Sequence, residues 1–264
     1  MATHKTPSND RTWDPDMAAL SRATLQGDKL RLSNVRDTTY GDPGTLYKVA
    51  FADRTYDLTK VERLWFIIES FSALQAIAHT FFSFEFADGE VLAVSVEARR
   101  ERGETYSIVK GLQREFELMY LFGTERDFVL RRTHYLDHDV YLYPVKLPPE
   151  KVKALLLDVL DEANRLAEQP RFYNSITDNC TTNLFEHLNG VVPVAFPALL
   201  PAKVLPGWSD KALYRRGFID TTLPFEALRE RYNVKAAAER YRDSADFSAL
   251  IRSGLPPTTL LHGE

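Results

Sequence analysis

The stretch AHTFFSFEFADGEVLAVSVEARR (residues 78–100) decides the fold of this chain. Aromatic and β-branched residues dominate both sides of the tetrapeptide Ala87-Asp88-Gly89-Glu90, and this pattern is typical of a β-hairpin. We therefore predict two strands, at 79–86 and 91–98, that are joined by a tight turn.

The segments around this hairpin predict more strands and several helices. Strands are predicted at 29–33, 116–122, 128–132 and 140–145, and helices at 16–25, 58–77, 149–168 and 179–189, with short helices after residue 210. Strands that follow each other at such short spacing form mostly antiparallel sheets. The predicted fold class is α+β, with a mostly antiparallel sheet flanked by helices.

The composition argues against several classes of function. A net charge of −4, with basic and acidic residues interspersed, gives no basic surface for nucleic acid. The single cysteine rules out an intramolecular disulfide and any CxxC metal or redox motif, so we expect neither a metal nor a cofactor. We also expect no signal peptide and no transmembrane segment in this chain, because it has no suitable apolar stretch.

That one cysteine, Cys180, lies where a loop becomes a helix, within Asp178-Asn179-Cys180-Thr181-Thr182-Asn183. Asp178 and Asn179 are good N-cap residues, which places Cys180 in the first helical turn. There the positive end of the helix dipole favours a thiolate, and unpaired N–H groups are placed to stabilise an oxyanion. A lone cysteine is more often a small buried core residue, but the polar residues around this one favour a nucleophile.

A thiol nucleophile needs a base within hydrogen-bonding distance. His79 begins the first strand of the hairpin, whereas His187 lies seven residues along the helix of Cys180, too far from the sulfur. His134 and His138 flank a polar connection, and their spacing suits a metal only on a helix. We predict His79 as the base; the alternative is a core histidine at a helix–strand junction.

The hairpin register supplies candidates for the third member of a catalytic triad. With the turn centred on Asp88, Glu97 lies opposite His79, and Ser95 is a near neighbour on the same face. Either side chain would orient the imidazole and fix its tautomer. A turn shifted by half a residue would put Glu97 on the wrong face. Glu97 could equally pair with Arg99 or Arg131.

Several stretches resemble the Lnb N-terminal periplasmic domain family of bacteria. They are AHTFFSFEFADGE (78–90), SVEARRERGETYS (95–107), ERDFVLRR (125–132), DVYLYP (139–144), PRFYNSITDNCTTN (170–183) and LPGWSD (205–210). The resemblance spans most of residues 13–221 and is most specific around His79 and the NCTTN segment. It implies a circularly permuted papain-like fold of the NlpC type, with Cys180 and His79 as the catalytic pair.

The same resemblance implies an acyltransferase of the bacterial envelope. Such an enzyme moves an acyl chain from a phospholipid, through a thioester on Cys180, to the amine at the N-terminus of a lipoprotein. Relatives with the permuted papain-like fold include amidases, so a cysteine amidase or peptidase that acts on envelope peptides is an alternative, as is a non-catalytic envelope binding module. The implied location is periplasmic or membrane-associated.

The predicted organisation has three parts. Residues 1–12 form a flexible N-terminus. Residues 13–221 form the papain-like catalytic domain with an N-terminal helical segment, and residues 222–264 form a C-terminal helical extension.

Three residues near the cysteine are candidate oxyanion donors, namely Tyr173, Asn174 and Asn179. The first two precede Cys180 by six or seven residues, close enough for a side-chain donor to complete an oxyanion hole. Loop packing and helix capping are the alternative roles for these side chains.

The substrate-binding candidates are arginines and an apolar segment. Arg36, Arg99 and Arg131 are predicted to contact a phosphate headgroup, because guanidinium binds phosphate through two hydrogen bonds; ordinary ion pairs are the alternative. The proline-broken segment 191–208 is a candidate acyl tunnel or peripheral membrane contact, with Trp208 as a further substrate-binding residue. A buried loop that packs over the sheet is the alternative for this segment.

Overall fold

The protein is described here by a computed structural model that covers residues 5–42, 45, 47–70, 76–193, 196–197 and 200–256. Its strands are β1 (Arg22–Gln26), β2 (Lys29–Arg36), β3 (Thr39–Tyr40), β4 (Tyr47–Lys48), β5 (Phe51–Asp57), β6 (Val61–Ser70), β7 (Ala78–Phe86), β8 (Val91–Arg99), β9 (Glu117–Thr124) and β10 (Asp139–Val145). Its α-helices are α1 (Ile108–Leu112), α2 (Glu125–Leu130), α3 (Pro149–Glu168), α4 (Cys180–Asn189), α5 (Pro201–Val204), α6 (Ser209–Arg215), α7 (Phe225–Arg231), α8 (Lys235–Arg240) and α9 (Phe247–Arg252). Short 3₁₀ turns cover Pro15–Met17, Leu58–Lys60 and Pro206–Trp208, and a π-helical turn covers Arg131–Tyr135.

The large sheet has the strand order β1-β2-β9-β8-β7-β6-β10, with β5 paired to β2 outside this path. Its pairs are antiparallel, apart from a parallel contact between β2 and β9. Helices cover both faces of this sheet. The predicted α+β class, with a mostly antiparallel sheet flanked by helices, is therefore confirmed.

The β7–β8 hairpin has the register that the sequence predicts. Phe81 lies opposite Ser95 and Glu85 lies opposite Val91, so the turn covers residues 87–90. Gly89 adopts a positive φ of 88° in this turn, a conformation that is strained for residues with a side chain. Continued to the open end of the hairpin, the same register brings His79 level with Glu97.

Two hydrophobic cores form because side chains alternate across the sheet. Phe82 and Val94 face the core that α3 and α4 cover. Phe81 and Ala93 face a second core, which α2, α8 and α9 cover with Val234, Phe247 and other buried side chains. Burial of each large apolar side chain contributes roughly 1.5–3 kcal/mol. The described part of the predicted C-terminal extension, up to residue 256, is thus part of the core of the domain.

The helix predicted at 58–77 is wrong where the structure describes it. A 3₁₀ turn at Leu58–Lys60 leads into β6, a long strand near one edge of the sheet. Residues 64–69 of β6 are all buried, since both faces of this strand are covered. A strand that is buried on both faces lacks alternation, and its apolar run resembles a helix in sequence. Residues 71–75 of that prediction lie outside the described residues.

The strand predicted at 128–132 is also wrong, because Thr124 starts a helix there. Its side chain accepts a hydrogen bond from the backbone N–H of Asp127 and caps α2, and the chain continues into the π-helical turn. The helix predicted at 16–25 is replaced by a 3₁₀ turn and β1. In each case tertiary contacts outweigh a local pattern that is ambiguous between helix and strand.

The N-terminal segment predicted to be frayed makes specific contacts from residue 5 onward. The amide of Asn9 donates to the carbonyl oxygens of Leu166 and Ala167 at the end of α3. Arg11 Nε lies 2.8 Å from Glu117 Oε1 at the start of β9. Residues 5–12 are therefore tied to the domain, and residues 1–4 lie outside the described part.

Candidate active site

Cys180 is the first residue of α4, as predicted, and its side chain is buried with 5% of its surface exposed. Asn179 is the N-cap: its side chain accepts from the N–H of Thr182, whose hydroxyl accepts from the N–H of Asn179. This reciprocal capping box fixes the start of the helix. Thr80 Oγ1 and Thr181 Oγ1 are 2.9 Å apart, which holds the start of α4 against the start of β7.

His79 stands beside the cysteine at the open end of the hairpin. Its Nε2 lies 2.6 Å from Ser95 Oγ and 3.2 Å from Glu97 Oε1. The Ser95 hydroxyl donates to the same carboxylate oxygen at 2.6 Å. Because Nε2 is taken by these two residues, Nδ1 is the ring nitrogen available for the hydrogen bond between His79 and Cys180. The four predicted catalytic residues are thus brought together.

The electrostatics of this cluster favour a thiolate and an imidazolium. Burial opposes charge on His79, but the charges of Glu97 and Cys180 raise its pKa to about 10. Burial would also raise the pKa of Cys180, yet His79, the backbone N–H of Thr80 and the Thr181 hydroxyl lower it below its ordinary value. Neighbouring charge and hydrogen bonding therefore outweigh desolvation, as nucleophilic cysteines require.

Arg132 and Glu69 belong to the same cluster, although the sequence analysis did not place them there. Arg132 Nε lies 2.8 Å from Glu69 Oε2, and its NH2 group lies 3.6 Å from Glu97 Oε1. Its guanidinium stacks over Phe81, 4.5 Å from the ring centre. The ERDFVLRR stretch was the sequence signal for Arg132. Because a strand was wrongly predicted there, the direction of the Arg132 side chain could not be predicted.

A cavity of about 830 Å³ opens onto Cys180 and His79. One part of its lining is apolar and is formed by Ala76, Ile77, Tyr106, Ile108, Ile176 and Leu205 among others. Another part is charged and is formed by Asp16, Glu69, Arg36, Arg100, Arg131 and Arg132. The Cys180 sulfur therefore faces a space that offers both an apolar and an ionic environment.

Residues 47–207, which include Cys180 and His79, match the Lnb N-terminal periplasmic domain family over more than half of the chain. The chain belongs to this family. Neither a curated protein nor a solved structure matched it. The family assignment fits a periplasmic location. In the described residues of this Lnb-family domain, no helix is both long and apolar enough to span a bilayer.

The three candidate oxyanion donors of the Lnb-family domain have different surroundings. Tyr173 lines the cavity with its hydroxyl 3.4 Å from that of Tyr106, and burial and the nearby Cys180 raise its pKa. It therefore stays a protonated donor. The Asn179 amide is engaged by the carbonyl oxygens of Ser175 and Lys203. Asn174 is not brought to the cavity, since its side chain accepts from two backbone N–H groups of its own loop.

The three candidate arginines also differ. Arg131 lines the cavity with NH1 2.9 Å from Asp16 Oδ2. Arg36 lines it too, but its guanidinium is held by both carboxylate oxygens of Asp127. Arg99 is not brought to the cavity: it is buried against Trp13 and donates to backbone carbonyl oxygens. Asp16, which pairs with Arg131, also lies 3.9 Å from Arg36 and 3.7 Å from Arg100.

The apolar segment 191–208 is described at 191–193, 196–197 and 200–208. Val191, Val192 and Phe196 are buried in the first core, whereas Leu205 and Pro206 line the cavity. Trp208 is 43% exposed and follows these two lining residues without lining the cavity itself. The described part of the segment thus contributes two residues to the cavity lining and several buried residues to the first core.

Three further histidines, His134, His138 and His187, lie in the described part of the chain. His187 lies between Asp158 and Tyr120, at 2.6 and 2.7 Å. His134 bonds to Glu239 and to a backbone carbonyl oxygen, and His138 bonds to Glu69. Among the described residues, no group of three or more His, Cys, Asp or Glu side chains is placed to hold a metal ion.

Proposed function

We propose that this chain is a thiol acyltransferase that takes an acyl chain from a phospholipid onto Cys180 and passes it to an amine acceptor. The observation that carries the proposal is the Cys180–His79 pair at a helix start, within a cavity that is part apolar and part ionic. A phospholipid has an apolar chain next to an anionic headgroup, so its two ends match the two kinds of lining.

The first half-reaction uses the ion pair at rest. The Cys180 thiolate attacks the ester carbonyl carbon, and the electron pair of the C=O bond moves to oxygen. When the tetrahedral intermediate collapses, the ester C–O bond breaks and the leaving alkoxide takes the proton from His79. The products are a thioester on Cys180 and a lysolipid. General acid catalysis of this kind contributes typically 10²–10⁴-fold in rate.

The second half-reaction reverses these roles. An amine attacks the thioester carbonyl, His79 accepts its proton, and the C–S bond breaks to restore the Cys180 thiolate. Glu97 stabilises the imidazolium in both steps, and Ser95 holds Nε2 in the donor state. The resemblance to the Lnb family supports the N-terminal amine of a lipoprotein as the acceptor.

The oxyanion is stabilised by two donors in this proposal. The first intrahelical bond of α4 runs from the N–H of Asn183 to the carbonyl of Asn179, so the N–H of Cys180 lies ahead of it. The Tyr173 hydroxyl is the second donor. A preorganised pair of this kind typically contributes 10²–10³-fold per donor.

We further propose that the fold is a circularly permuted papain-like one. A histidine on β7, its orienting group on β8 and a cysteine at the start of the later helix α4 support the circularly permuted papain-like arrangement. The chain order His79, Glu97, Cys180 is the feature on which this description depends.

Intact mass spectrometry tests the proposed function. After incubation with a diacyl phospholipid, we expect the mass of one acyl chain on the wild-type protein. Neutral hydroxylamine should remove it, because it cleaves thioesters and leaves oxygen esters. Cys180 is the only cysteine, so Cys180→Ala should show no adduct.

A peptide substrate tests the alternative reaction. Addition of a lipoprotein-like peptide with a free N-terminal amine should discharge the adduct and acylate the peptide. If the wild type instead cleaves envelope peptides in a Cys180-dependent manner and never acquires the acyl mass, the chain is a cysteine amidase and the acyltransferase proposal is wrong.

A further inference from the structure

Exposed hydrophobic side chains are concentrated at one place on the surface. Among the described residues, nine large hydrophobic side chains are exposed, and five of them line the cavity of Cys180. These five are Tyr106, Ile108, Leu112, Leu136 and Ile176. Val109, the most exposed of the nine at 62%, lies in α1 among them. Scattered exposed residues need no explanation, but a contiguous group around a cavity indicates a binding surface.

Helix α1 and the loop at residues 174–177 form one surface. Ser175 Oγ donates to the carbonyl oxygen of Ile108 at 2.9 Å, and Gly111 lies so close to Tyr173 that an added Cβ would be 3.2 Å from its ring. The exposed side chains of both segments therefore stand side by side. We call Tyr106, Ile108, Val109, Leu112 and Ile176 the apolar rim.

Two basic side chains, Lys110 and Arg114, lie within the segment that carries most of the apolar rim. Glu104 and Glu115 flank this segment, and Glu115 lies 4.0 Å from Lys110. Arg114 is exposed, and a cation beside exposed apolar side chains is complementary to anionic phospholipids.

We propose that the apolar rim docks on the surface of an anionic lipid bilayer, so that a lipid chain enters the cavity directly from the membrane. The rim is continuous with the apolar lining that leads to Cys180, and a chain that crosses it stays in contact with apolar groups. A stable protein interface engages roughly 20–30 residues on each side, far more than these five side chains provide.

Docking of the apolar rim would bring the proposed acyltransferase to its lipid, so this inference rests on the proposed function. The docking itself needs no reaction at Cys180. It also differs from a membrane contact through 191–208, because Val191, Val192 and Phe196 of that segment are buried. Trp208 lies beside the lining residue Pro206 and is the exposed aromatic residue of that segment.

Co-sedimentation with vesicles tests the docking surface. We expect the full chain to sediment with phosphatidylcholine vesicles that contain about one third phosphatidylglycerol, and less so at high salt, which screens Lys110 and Arg114. Val109→Glu with Ile176→Glu should lower the partition coefficient roughly 100-fold, about tenfold for each apolar side chain lost. Leu25→Glu is the matched control, since Leu25 is 51% exposed in β1 and does not line the cavity.

Three results would overturn the docking surface. They are no sedimentation of the wild type, an unchanged partition of the double variant, or an equal loss in Leu25→Glu. A wild-type dimer that Val109→Glu dissociates, without vesicle binding, would assign the rim to a second copy of the chain. Val109→Glu alone should keep the wild-type rate of Cys180 alkylation by iodoacetamide, which shows that the fold is intact.

The outcomes for docking and for chemistry are separable. Cys180→Ala should sediment like the wild type while it acquires no acyl group. Rim-dependent sedimentation without an acyl adduct in the wild type would remove the proposed function and leave the docking surface. Acylation of Cys180 by a soluble short-chain ester, without vesicle binding, would remove the docking surface and leave the proposed function.

Discussion

Glu69 lies directly opposite His79 in the β6–β7 pair. The register of the β7–β8 hairpin brings Glu97 level with His79 on the other side, so the imidazole is flanked by a carboxylate from each neighbouring strand. Arg132 lies within ion-pair distance of both carboxylates. Burial would raise the pKa of Glu69, but Arg132 and the two histidines lower it. One guanidinium thus allows the buried Glu69 and the partly buried Glu97 to stay charged next to His79.

Arg132→Gln should leave the two carboxylates without their shared cation. Loss of one partner from a buried ion pair typically costs about 3–5 kcal/mol in the free energy of unfolding. The loss of positive charge also raises the pKa of Cys180, so the pH midpoint of its alkylation should move upward. Urea unfolding and the pH profile of iodoacetamide alkylation measure these two effects.

A matched variant separates positioning from stability in this test. Glu69→Gln in the Arg132→Gln background removes one of the unpaired carboxylates and should restore part of the lost free energy of unfolding. An alkylation profile that stays at the wild-type midpoint in Arg132→Gln would mean that Arg132 is structural only.

The Cys180–His79 ion pair should give alkylation below the pH range of an ordinary thiol. The pKa of Cys180 is lowered, so the thiolate persists as the pH falls below the usual range near 8.5. His79→Asn removes the imidazolium while burial remains, so the midpoint should rise above that range. At pH 7 we expect at least a tenfold lower alkylation rate, because each pKa unit changes the thiolate fraction tenfold. Equal rates in both proteins would contradict the ion pair.

Ser95 and Glu97 should differ in their effect on turnover. Glu97→Gln removes the charge that stabilises the imidazolium, and loss of such a group costs up to about 10⁴-fold. Ser95→Ala removes one hydrogen bond but leaves Glu97 3.2 Å from Nε2, so a loss of roughly five- to tenfold is expected. The acylation rate with a soluble ester measures both. A larger loss in Ser95→Ala would identify Ser95 as the main orienting group.

The candidate site around Cys180 was predictable because its signals are local. The turn chemistry at Gly89 set the register that brings Ser95 and Glu97 to His79, and the N-cap at Asn179 set the position of Cys180. Glu69 and Arg132 were not predictable in the same way. Glu69 lies in a strand that is buried on both faces and reads as a helix, and Arg132 follows a helix that reads as a strand. Their roles depend on long-range packing that no short window contains.

The surroundings of the arginines were unpredictable for a related reason. Sequence alone could not separate Arg131, which lines the cavity, from Arg99, which donates to backbone carbonyl oxygens behind it. In the sequence, each of these two arginines follows an apolar residue and precedes another arginine. The direction of each side chain follows from the strand or turn that carries it.

Gly123→Ala should lower the free energy of unfolding by disturbing Phe128, whose ring packs against the Arg132 guanidinium. A Cβ at Gly123 would overlap the buried ring of Phe128 and lie 3.1 Å from the carbonyl oxygen of Arg36. Such overpacking typically costs 1–3 kcal/mol, and thermal or urea unfolding measures it. Gly254→Ala, with no atom within 4 Å of the added Cβ, should change the free energy of unfolding by less than about 0.5 kcal/mol. Phe128→Leu in the Gly123→Ala background should restore part of the lost free energy of unfolding. If the losses of the two single variants simply add in the double variant, the predicted overlap is wrong.

Asp210 should make the free energy of unfolding depend on pH. Burial raises its pKa from 3.8 to about 6, despite Arg229 and the Tyr143 hydroxyl. Because the folded pKa is raised, the contribution to stability is fully present below pH 4 and is lost as the pH rises through 6. Asp210→Asn has no such loss, so its stability relative to the wild type should increase by about 3 kcal/mol between pH 4 and pH 7. Urea unfolding at the two pH values measures this difference.

The ion pair of Asp210 with Arg229 provides the control for that measurement. Arg229 Nε lies 3.7 Å from Asp210 Oδ2 and favours the charged carboxylate. Arg229→Gln removes this charge, so the pKa of Asp210 should rise further and the decline in stability should move to higher pH. A decline that stays in place would mean that Arg229 does not act on Asp210. A pH-independent difference between Asp210→Asn and the wild type would show that the buried carboxyl keeps its ordinary pKa.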